Sequence, residues 1–416
     1  MTGHRRLAAL FQWIALGIVV GLFCGAASAV FLAALAAATS FRDAHEIVVY
    51  ALPIAGLVVG FLYERYGQPI KGGNNLIIDT IHDDGPEIPL RMAPMVLIGT
   101  VLTHLFGGSA GREGTAVQMG ASLTDAIAHR LRLEPHTRRE LLAAGVAGGF
   151  GSVFGTPIAG MIFGLEFVVL GRIEYDALVP ALVASVVGDM TTRALGIVHT
   201  VYPQPAGVAL SPALLGKWLV VAAFVAGTTA LFIESTHRLK RLGERFLPRL
   251  PLRMALGGAA VLLMWHTAGT SEYLGLSLPL IAKSFTVAQP WYAFLLKLAF
   301  TAVTLGSGFL GGEVTPLFCV GAALGSWLAA PLGLPLDLTV AVGLAAVFAS
   351  ASNTPLALSV MAVEICGPAV LPHVVIVCVL AYILSGHRSI YPAQRLLRHK
   401  SGTRLTKATP IRELGD

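Results

Sequence analysis

The sequence predicts an all-α polytopic membrane protein, and three features support this fold class: its composition, its long apolar runs and an internal repeat. The chain has 416 residues, of which 55% are hydrophobic and 12% are charged, and its mean hydropathy is +0.74. Soluble domains carry about twice that charged fraction. The apolar residues form continuous runs and do not alternate with polar ones, so the predicted spans are helices and not barrel strands.

The predicted elements follow one another as apolar segments separated by polar or glycine-rich breaks. The apolar segments cover residues 11–38, 46–63, 92–106, 141–170, 176–195, 213–235, 254–268, 292–305, 313–330, 335–349, 354–366 and 370–385. Residues 196–211 are predicted to form a loop, 236–253 a basic cytoplasmic linker, and the chain from about 388 a basic tail. Many segments are shorter than a full span and contain Gly or Pro. This pattern indicates broken helices that line a cavity or are buried in protein.

Basic residues concentrate at the ends of the apolar segments. The clusters lie at Arg5 and Arg6 and around residues 130–139, 238–253 and 388–412. By the positive-inside rule, both termini are expected in the cytoplasm, with the chain crossing the cell (inner) membrane several times. The net charge of +6 therefore reflects membrane topology, and no nucleic-acid partner is expected. The four cysteines lie in apolar context without a C-x-x-C pair, so neither a disulfide, a metal nor another cofactor is predicted.

One stretch, Gly107–Gly120, places charged side chains inside an apolar region. Charged residues in membrane segments are costly and are usually retained for function. The glycines around Arg112 and Glu113 let backbone N–H groups approach a ligand, and a helix that starts here would attract an anion. The stretch therefore predicts an anion site that contains a carboxylate. A glutamate in the first turn of a helix is equally typical of a simple capping partner.

The two halves of the chain share sequence motifs. Gly145–Glu166 aligns with Gly343–Glu364 at a separation of 198 residues, and both contain a T-P-x-A core and a terminal glutamate. Residues 111–115 (G-R-E-G-T) align with residues 311–315 (G-G-E-V-T) at a separation of 200. Paired halves with a glutamate at each helix break are typical of secondary transporters, whose broken helices meet near the midplane. The sequence leaves the relative direction of the halves open, and it favours a structural role for the glutamates that close each repeat.

Four motifs resemble those of the CLC family of chloride channels and chloride/proton antiporters, and the match covers most of the chain in order. They are G-R-E-G at 111–114, G-T-P-I-A at 155–159, G-G-E-V-T-P at 311–316 and S-I-Y at 389–391. The resemblance implies a CLC-type fold of two inverted helical repeats, with broken helices that meet at a midplane anion site. It also implies a gating glutamate, a pore tyrosine and a homodimer with one pathway in each subunit.

The resemblance further implies a simple domain organisation. A single CLC-type transmembrane domain would cover residues 1–400, with repeat one at about 46–195 and repeat two at about 213–385. A pore segment would follow at about 386–398, and residues 401–416 would form a short cytoplasmic tail.

Several residues depart from the chloride-type pattern and resemble the fluoride-exporting branch of the family. Gly73-Asn74-Asn75 stands where chloride members usually have G-S-G, so the serine that meets chloride is missing. Thr115 replaces the signature proline, and Phe167 stands at the inner proton-transfer glutamate of the chloride/proton antiporters. Glu313 and Thr315 occupy positions that are apolar in chloride members. Members of the fluoride branch exchange fluoride for protons.

The resemblance thus implies a fluoride/proton antiporter that exports fluoride from the cytoplasm with the inward proton gradient. Glu113 and Glu313 are expected to gate the pathway and transfer protons, and no catalytic residue is expected. The expected anion-binding residues are Asn74, Asn75, Gly111, Arg112, Gly114, Val314, Thr315 and Tyr391. Backbone N–H groups, amides and hydroxyls are strong donors, which suits an anion that is smaller and more strongly hydrated than chloride.

Two other functions stay open at this point. The first is a CLC-type chloride/proton antiporter or chloride channel with an unusual filter. The second is an intramembrane enzyme that uses Glu113, Glu313 and His104 with a metal ion. The sequence contains no H-E-x-x-H motif, paired Cys/His spacing or G-x-S-x-G elbow to support it, so the protein is not expected to be an enzyme.

Overall fold

The computed structural model describes residues 3–83, 87–170, 172–400 and 404–414, and this part of the chain is predominantly helical. The helices are α1 (Gly3–Ala44), α2 (Leu52–Tyr66), α3 (Asn74–Asp83), α4 (Met92–Leu105), α5 (Glu113–Arg130), α6 (Pro135–Phe154), α7 (Pro157–Glu166), α8 (Leu178–Ala194), α9 (Pro212–Phe246), α10 (Leu250–Ala268), α11 (Leu278–Ser284), α12 (Ala293–Gly306), α13 (Val314–Leu332), α14 (Leu336–Ser352), α15 (Pro355–Cys366) and α16 (Leu371–Leu384). The strands are β1 (Val169–Leu170), β2 (Arg395–Arg398) and β3 (Arg404–Pro410). The prediction of an all-α membrane architecture is confirmed.

Helix length varies widely among the described residues. Four helical segments are long and apolar enough to cross a membrane: Leu7–Ala44, Glu46–Tyr66, Pro212–Phe246 and Val314–Leu332. The other apolar helices have only 10–17 residues. A full crossing needs about 20 residues of helix, so these shorter pieces cannot each span the apolar layer alone. This agrees with the broken helices predicted from the Gly and Pro interruptions.

The shared T-P-x-A motif marks the same helix break in both repeats. α6 is followed by Gly155 (φ 75°), and α7 begins at Pro157. α14 is followed by Asn353 (φ 58°), and α15 begins at Pro355. A left-handed residue closes a helix C-terminus, and proline suits a first helical position because it has no N–H to leave unpaired. The motif is therefore a C-cap followed directly by a new helix start.

One element differs from its prediction in a basic region. α9 continues to Phe246 and α10 starts at Leu250, so the predicted linker over 236–253 is wrong and only residues 247–249 connect the two helices. Lys, Arg and Glu favour helix outside an apolar layer, and Glu234 pairs with Arg238 one turn later at 3.8 Å. Hydropathy marks where the apolar part of this helix stops, but the helix itself continues.

The C-terminal segment packs back onto the helices. β2 pairs in parallel with β1, which follows α7, and in antiparallel with β3. Gln394 strengthens this attachment, since its Nε2 donates to the carbonyl oxygens of Phe167 (2.9 Å) and Ser352 (2.8 Å). Residues 404–414 of the predicted tail therefore include a strand, whereas residues 401–403 and 415–416 of that tail lie outside the described residues.

Gly111 and Gly312 join the two repeats through an antiparallel backbone bridge. The N–H of Gly111 donates to the Gly312 oxygen at 2.6 Å, and the N–H of Gly312 donates to the Gly111 oxygen at 2.8 Å. α5 and α13 each begin two residues after their glycine, at Glu113 and Val314. The bridge therefore brings two helix N-termini together. The antiparallel pairing of these equivalent segments is the arrangement expected for two repeats related by inversion.

A second pair of contacts links the repeats reciprocally. At the end of α7, Glu166 accepts the N–H groups of Leu356 (3.2 Å) and Ala357 (2.9 Å) at the start of α15. At the end of α15, Glu364 accepts the N–H groups of Ile158 (3.0 Å) and Ala159 (2.8 Å) at the start of α7. Each carboxylate thus caps a helix start in the other repeat. The structural role predicted for both glutamates takes this form.

We predict that Glu166→Ala and Glu364→Ala each destabilise the fold, because each leaves two N–H groups of a helix start without an acceptor. Hydrogen bonds to charged groups contribute about 1.5–3 kcal/mol. All four cysteines are buried and free, so a thiol-reactive dye reports thermal unfolding of detergent-solubilised protein. Both variants should unfold at a lower temperature than the parent. Glu64→Ala, which removes an exposed glutamate of α2, should not. Parent-like unfolding of both variants would refute the reciprocal capping.

Candidate functional site

The site lies where the bridge brings the starts of α5 and α13 together. In apolar surroundings the free N–H groups of a helix start need an acceptor, and their dipoles favour negative charge. Gly114 keeps this junction tight: a Cβ there would lie 3.1 Å from the Gly312 Cα and 3.3 Å from the Asn74 Nδ2. Val314, the first residue of α13, is buried in the same junction. Gly111, Gly114 and Val314 thus supply the backbone of the site.

Glu113 fills the helix start of the opposite repeat. Its side chain is fully buried. Its Oε2 accepts the N–H groups of Thr315 and Arg112, both at 3.1 Å. Its Oε1 accepts the Thr315 hydroxyl and lies 3.3 Å from the Arg112 Nε. The carboxylate is therefore surrounded by backbone N–H, hydroxyl and guanidinium donors.

Glu313 lies on the other side of Gly114 and is bonded quite differently. It is the N-cap residue of α13, yet its side chain makes no capping hydrogen bond. Within the described part of the chain, no other residue donates a hydrogen bond to its carboxylate. The half-buried side chain of Glu313 lies beside Gly114. A Cβ added to Gly114 would be 3.7 Å from one of the Glu313 carboxylate oxygens. The reading of Glu313 as a simple helix cap therefore has no support in its contacts.

Two further predicted residues, Asn74 and Tyr391, line the same space. Asn74, the first residue of α3, is buried, and its Oδ1 has no hydrogen-bond partner among the described residues. Tyr391 is buried, and its hydroxyl adjoins the Asn74 side chain and lies near both Glu113 and Glu313. The Tyr391 ring packs edge-on against Phe167 with centroids 4.9 Å apart. The structure thus gathers these groups within one enclosed region.

Asn75 holds a neighbouring segment through its side-chain oxygen. Its Oδ1 accepts the Ala393 N–H at 3.0 Å, so this oxygen holds the segment that carries Tyr391. The sequence predicts both asparagines as donors to an anion, because it does not distinguish two consecutive amides. Consecutive residues of a helix point about 100° apart, so only one of the two can face the same neighbour. In this structure Asn74 faces Gly114, and Asn75 supports the segment of Tyr391.

A small cavity adjoins the Glu113 donors. It has a volume of about 10 Å³, and its lining includes Arg112, Thr315, Phe318, Phe154 and Tyr202. A space of this size holds about one water-sized ligand. Tyr202 belongs to the predicted 196–211 loop, so a segment outside both repeats also contributes to this lining. The cavity therefore lies next to the donors that Glu113 occupies.

Sequence reasoning missed a buried cation that positions the loop before Glu113. Lys297 of α12 is fully buried, and its Nζ donates to the Ser109 hydroxyl (2.8 Å) and to the carbonyl oxygens of Tyr273 (3.2 Å) and Gly275 (2.7 Å). Ser109 is also held by α12, since its N–H donates to the Thr304 hydroxyl at 3.1 Å. The detectable signal was a single lysine inside the apolar run 292–305.

His104, the third residue of the metal-enzyme alternative, is fully buried at the end of α4. Neither of its ring nitrogens has a hydrogen-bond partner among the described residues. The Thr115 hydroxyl pairs with the Thr100 hydroxyl at 2.7 Å and not with the donors around Glu113. These contacts bring neither residue to the Glu113 carboxylate.

Comparison with known proteins gives consistent similarities. A family profile described as voltage gated chloride channel matches residues 55–386. A "Chloride/fluoride channel protein" of Pseudomonas syringae pv. tomato is 47% identical over 396 residues, which cover 92% of this chain and 86% of that protein. The crystal structure of a CLC-type fluoride/proton antiporter aligns with a TM-score of 0.90 at 38% identity, covering 95% of this chain and 100% of that one. A slow cyanobacterial Cl⁻/H⁺ antiporter structure aligns with a TM-score of 0.78 at 17% identity, covering 90% of this chain and 94% of that one, which shows a shared fold.

We predict that Lys297→Met both destabilises the protein and slows anion flux in liposomes. The change leaves the Ser109 hydroxyl and two buried carbonyl groups without their donor, at a cost of about 3 kcal/mol or more. It also weakens the attachment of the loop that carries Gly111 and Arg112, which the Thr304 hydroxyl still holds. The matched control is Lys283→Met, because Lys283 is half-exposed and pairs with Glu272 at 2.9 Å on the surface. Parent-like flux and unfolding temperature for Lys297→Met would show that the network does not position the site.

Proposed function

The chain belongs to the voltage gated chloride channel family, and on this basis we propose that it is a fluoride/proton antiporter. The observation that carries the proposal is the position of Glu113, whose carboxylate occupies donors at the start of α13. A charged side chain that sits where an anion would bind competes with that anion. Protonation removes this charge and weakens its hold on the donors. One group can then link the movement of an anion to the movement of a proton.

Glu313 is the proposed second proton carrier. Phe167 stands where chloride/proton antiporters carry their inner glutamate, and its buried aromatic ring has no titratable group. Glu313 lies beside Gly114, and no other residue in the described ranges donates to its carboxylate, so hydrogen bonds do not fix this side chain in place. A proton released by Glu113 can therefore pass to a second carboxylate within the same region. The charges of both glutamates act on the buried Tyr391 hydroxyl, which adjoins Asn74.

Fluoride is the anion that fits these donors best. It is smaller and more strongly hydrated than chloride, so a site must replace its water with strong, closely placed donors. The backbone N–H and hydroxyl of Thr315, the Arg112 side chain and the Asn74 amide offer such groups. Two similar proteins support the assignment, since one is named a chloride/fluoride channel protein and the other a CLC-type fluoride/proton antiporter. Because the first of these names also includes chloride, a chloride/proton antiporter or a chloride channel is the alternative function.

The proposed topology follows from the charge distribution, and the proposed domain and homodimer follow from the family resemblance. The protein crosses the cell (inner) membrane with both termini in the cytoplasm, and inward proton flow drives fluoride out. One transmembrane domain covers residues 1–400, and the subunit forms a homodimer with a pathway in each copy. Proton-driven export suits fluoride, because the ion enters cells as the weak acid HF and is trapped as the anion at neutral pH.

We predict that liposomes containing the purified protein release fluoride at least about tenfold faster than chloride, a ratio that needs only about 1.4 kcal/mol of differential stabilisation. An imposed proton gradient should also drive fluoride uphill. Ion-selective electrodes measure both fluxes, and protein-free liposomes report leakage. Equal fluoride and chloride rates would favour the alternative function. A fluoride flux that ignores the proton gradient would exclude coupled exchange.

Glu113→Gln should stop proton-coupled fluoride movement, because glutamine keeps the shape of the side chain but cannot carry the proton. Glu313→Gln should also impair exchange, since it removes the second carboxylate. Simultaneous recording of pH and fluoride in liposomes tests both variants, and Glu64→Gln on the exposed face of α2 is the control. A Glu113→Gln protein that still exchanges fluoride for protons would contradict the proposed gate. An unchanged Glu313→Gln protein would remove only the second carrier.

A further inference from the structure

A cluster of metal-ligating side chains lies away from the anion site. His136 and Glu140 stand one turn apart near the start of α6, and Asp176 comes from the short 3-10 turn Tyr175–Ala177 before α8. Each of the three offers one ligand atom, and these atoms all lie within 4.8 Å of one another. We propose that His136, Glu140 and Asp176 form a binding site for a divalent transition metal ion of the Zn²⁺ type.

The donor set determines the kind of ion. One imidazole nitrogen and two carboxylate oxygens form a mixed N/O set, which suits Zn²⁺ or Co²⁺, whereas Ca²⁺ and Mg²⁺ prefer oxygen ligands. A histidine and a glutamate at i and i+4 lie on one face of a helix, and a third ligand from a facing segment completes a tripod. The fourth position of a tetrahedral ion then remains open for water.

The surroundings leave room for the ion and for its water. The three side chains line a cavity of about 200 Å³, together with His82, Arg139 and Glu174. His136 and Asp176 are exposed and Glu140 is half-buried, so an ion can reach them from solvent. The Glu140 and Asp176 carboxylates repel each other at this separation, and a divalent cation between them would turn this repulsion into attraction.

A similar pair on α5 shows what an ordinary ion pair of this spacing looks like. His129 and Asp125 are also one turn apart, with the His129 Nδ1 3.5 Å from an Asp125 oxygen. There the Arg138 guanidinium donates to both Asp125 oxygens (2.7 and 2.9 Å), and the Ile88 N–H adds a third bond at 2.6 Å. This carboxylate is already satisfied by protein donors. His136 and Glu140 also pair directly, with the His136 Nδ1 2.8 Å from a Glu140 oxygen, but here a second carboxylate, Asp176, converges on the pair. A metal ion would replace the proton that these two side chains share.

The consequence of binding is a link between two elements. The ion would tie the first turns of α6 to the turn that precedes α8. Val168 also lines the cavity, immediately before β1, which pairs with β2 of the C-terminal segment. Because the ion would bind only the folded arrangement of these three side chains, it would raise the stability of the protein.

The test uses full-length protein in detergent, with an affinity tag that contains no histidine and after treatment with a chelator. Zn²⁺ is titrated by calorimetry, and Co²⁺ is followed by its visible absorption. We expect one site per chain with micromolar affinity and a rise of several degrees in the unfolding temperature when Zn²⁺ is present. His136→Ala and Asp176→Asn should each weaken binding at least tenfold and abolish the rise. Their metal-free unfolding temperatures show whether the variants are folded.

Two control variants separate this site from the other histidines. His129→Ala removes one of the several partners of Asp125. His399→Ala removes one member of the His387–His399 pair, whose nitrogens are 3.2 Å apart. Both variants should bind Zn²⁺ like the parent. The proposal is overturned if the parent binds no Zn²⁺ in the micromolar range, or if His136→Ala and Asp176→Asn bind as the parent does. Mg²⁺ or Ca²⁺ binding as tight as Zn²⁺ would overturn the assignment to a transition metal.

Discussion

The structure depends on one constraint, which is that two helix starts meet inside an apolar protein and need a negative partner. The Gly111–Gly312 bridge fixes the starts of α5 and α13 against each other. Their free N–H groups cannot turn to bulk water, so an acceptor must come from the protein or from an ion. Glu113 supplies it across the repeat boundary. Fold and proposed site are therefore one arrangement, because the contact that joins the halves also lies at the proposed anion site.

The molecule uses the same interaction in two ways. Glu166 and Glu364 each accept two backbone N–H groups of a helix start, and this reciprocal pair holds the repeats together. Glu113 also accepts a backbone N–H of a helix start, but the Thr315 hydroxyl joins it and a small cavity adjoins these donors. Under the proposed mechanism, an anion in that cavity takes over the donors when the carboxylate leaves. Glu166 and Glu364 are fixed caps in this view, whereas Glu113 is proposed to be exchangeable because a cavity adjoins its donors.

Much of this arrangement could be predicted from the sequence because its signals are local. Apolar runs interrupted by Gly and Pro indicate short helices, and the repeated T-P-x-A motif locates the same break in both halves. Other features depend on contacts between residues far apart in the chain. Lys297 is recognisable as unusual, but its bonds to Ser109 and Gly275 become visible only when α12 is packed. The role of Asn75 depends likewise on Ala393, which lies 318 positions away. The helical end of α9 was missed for a different reason, because hydropathy reports the surroundings of a helix and not its length.

Charge balance explains why such a site would exchange ions and not conduct them freely. Arg112 is largely buried beside Glu113, and Lys297 is fully buried one loop away. With the Glu113 carboxylate ionised, the donors of α13 are occupied and the nearby positive charge is partly compensated. If the carboxylate took up a proton and left, these donors and the Arg112 charge would be unpaired in a medium of low polarity, which is costly. An anion that enters at that moment relieves the cost, and an anion that enters earlier must compete with a charge already in place. Under the proposed mechanism, proton and anion therefore alternate at one set of donors.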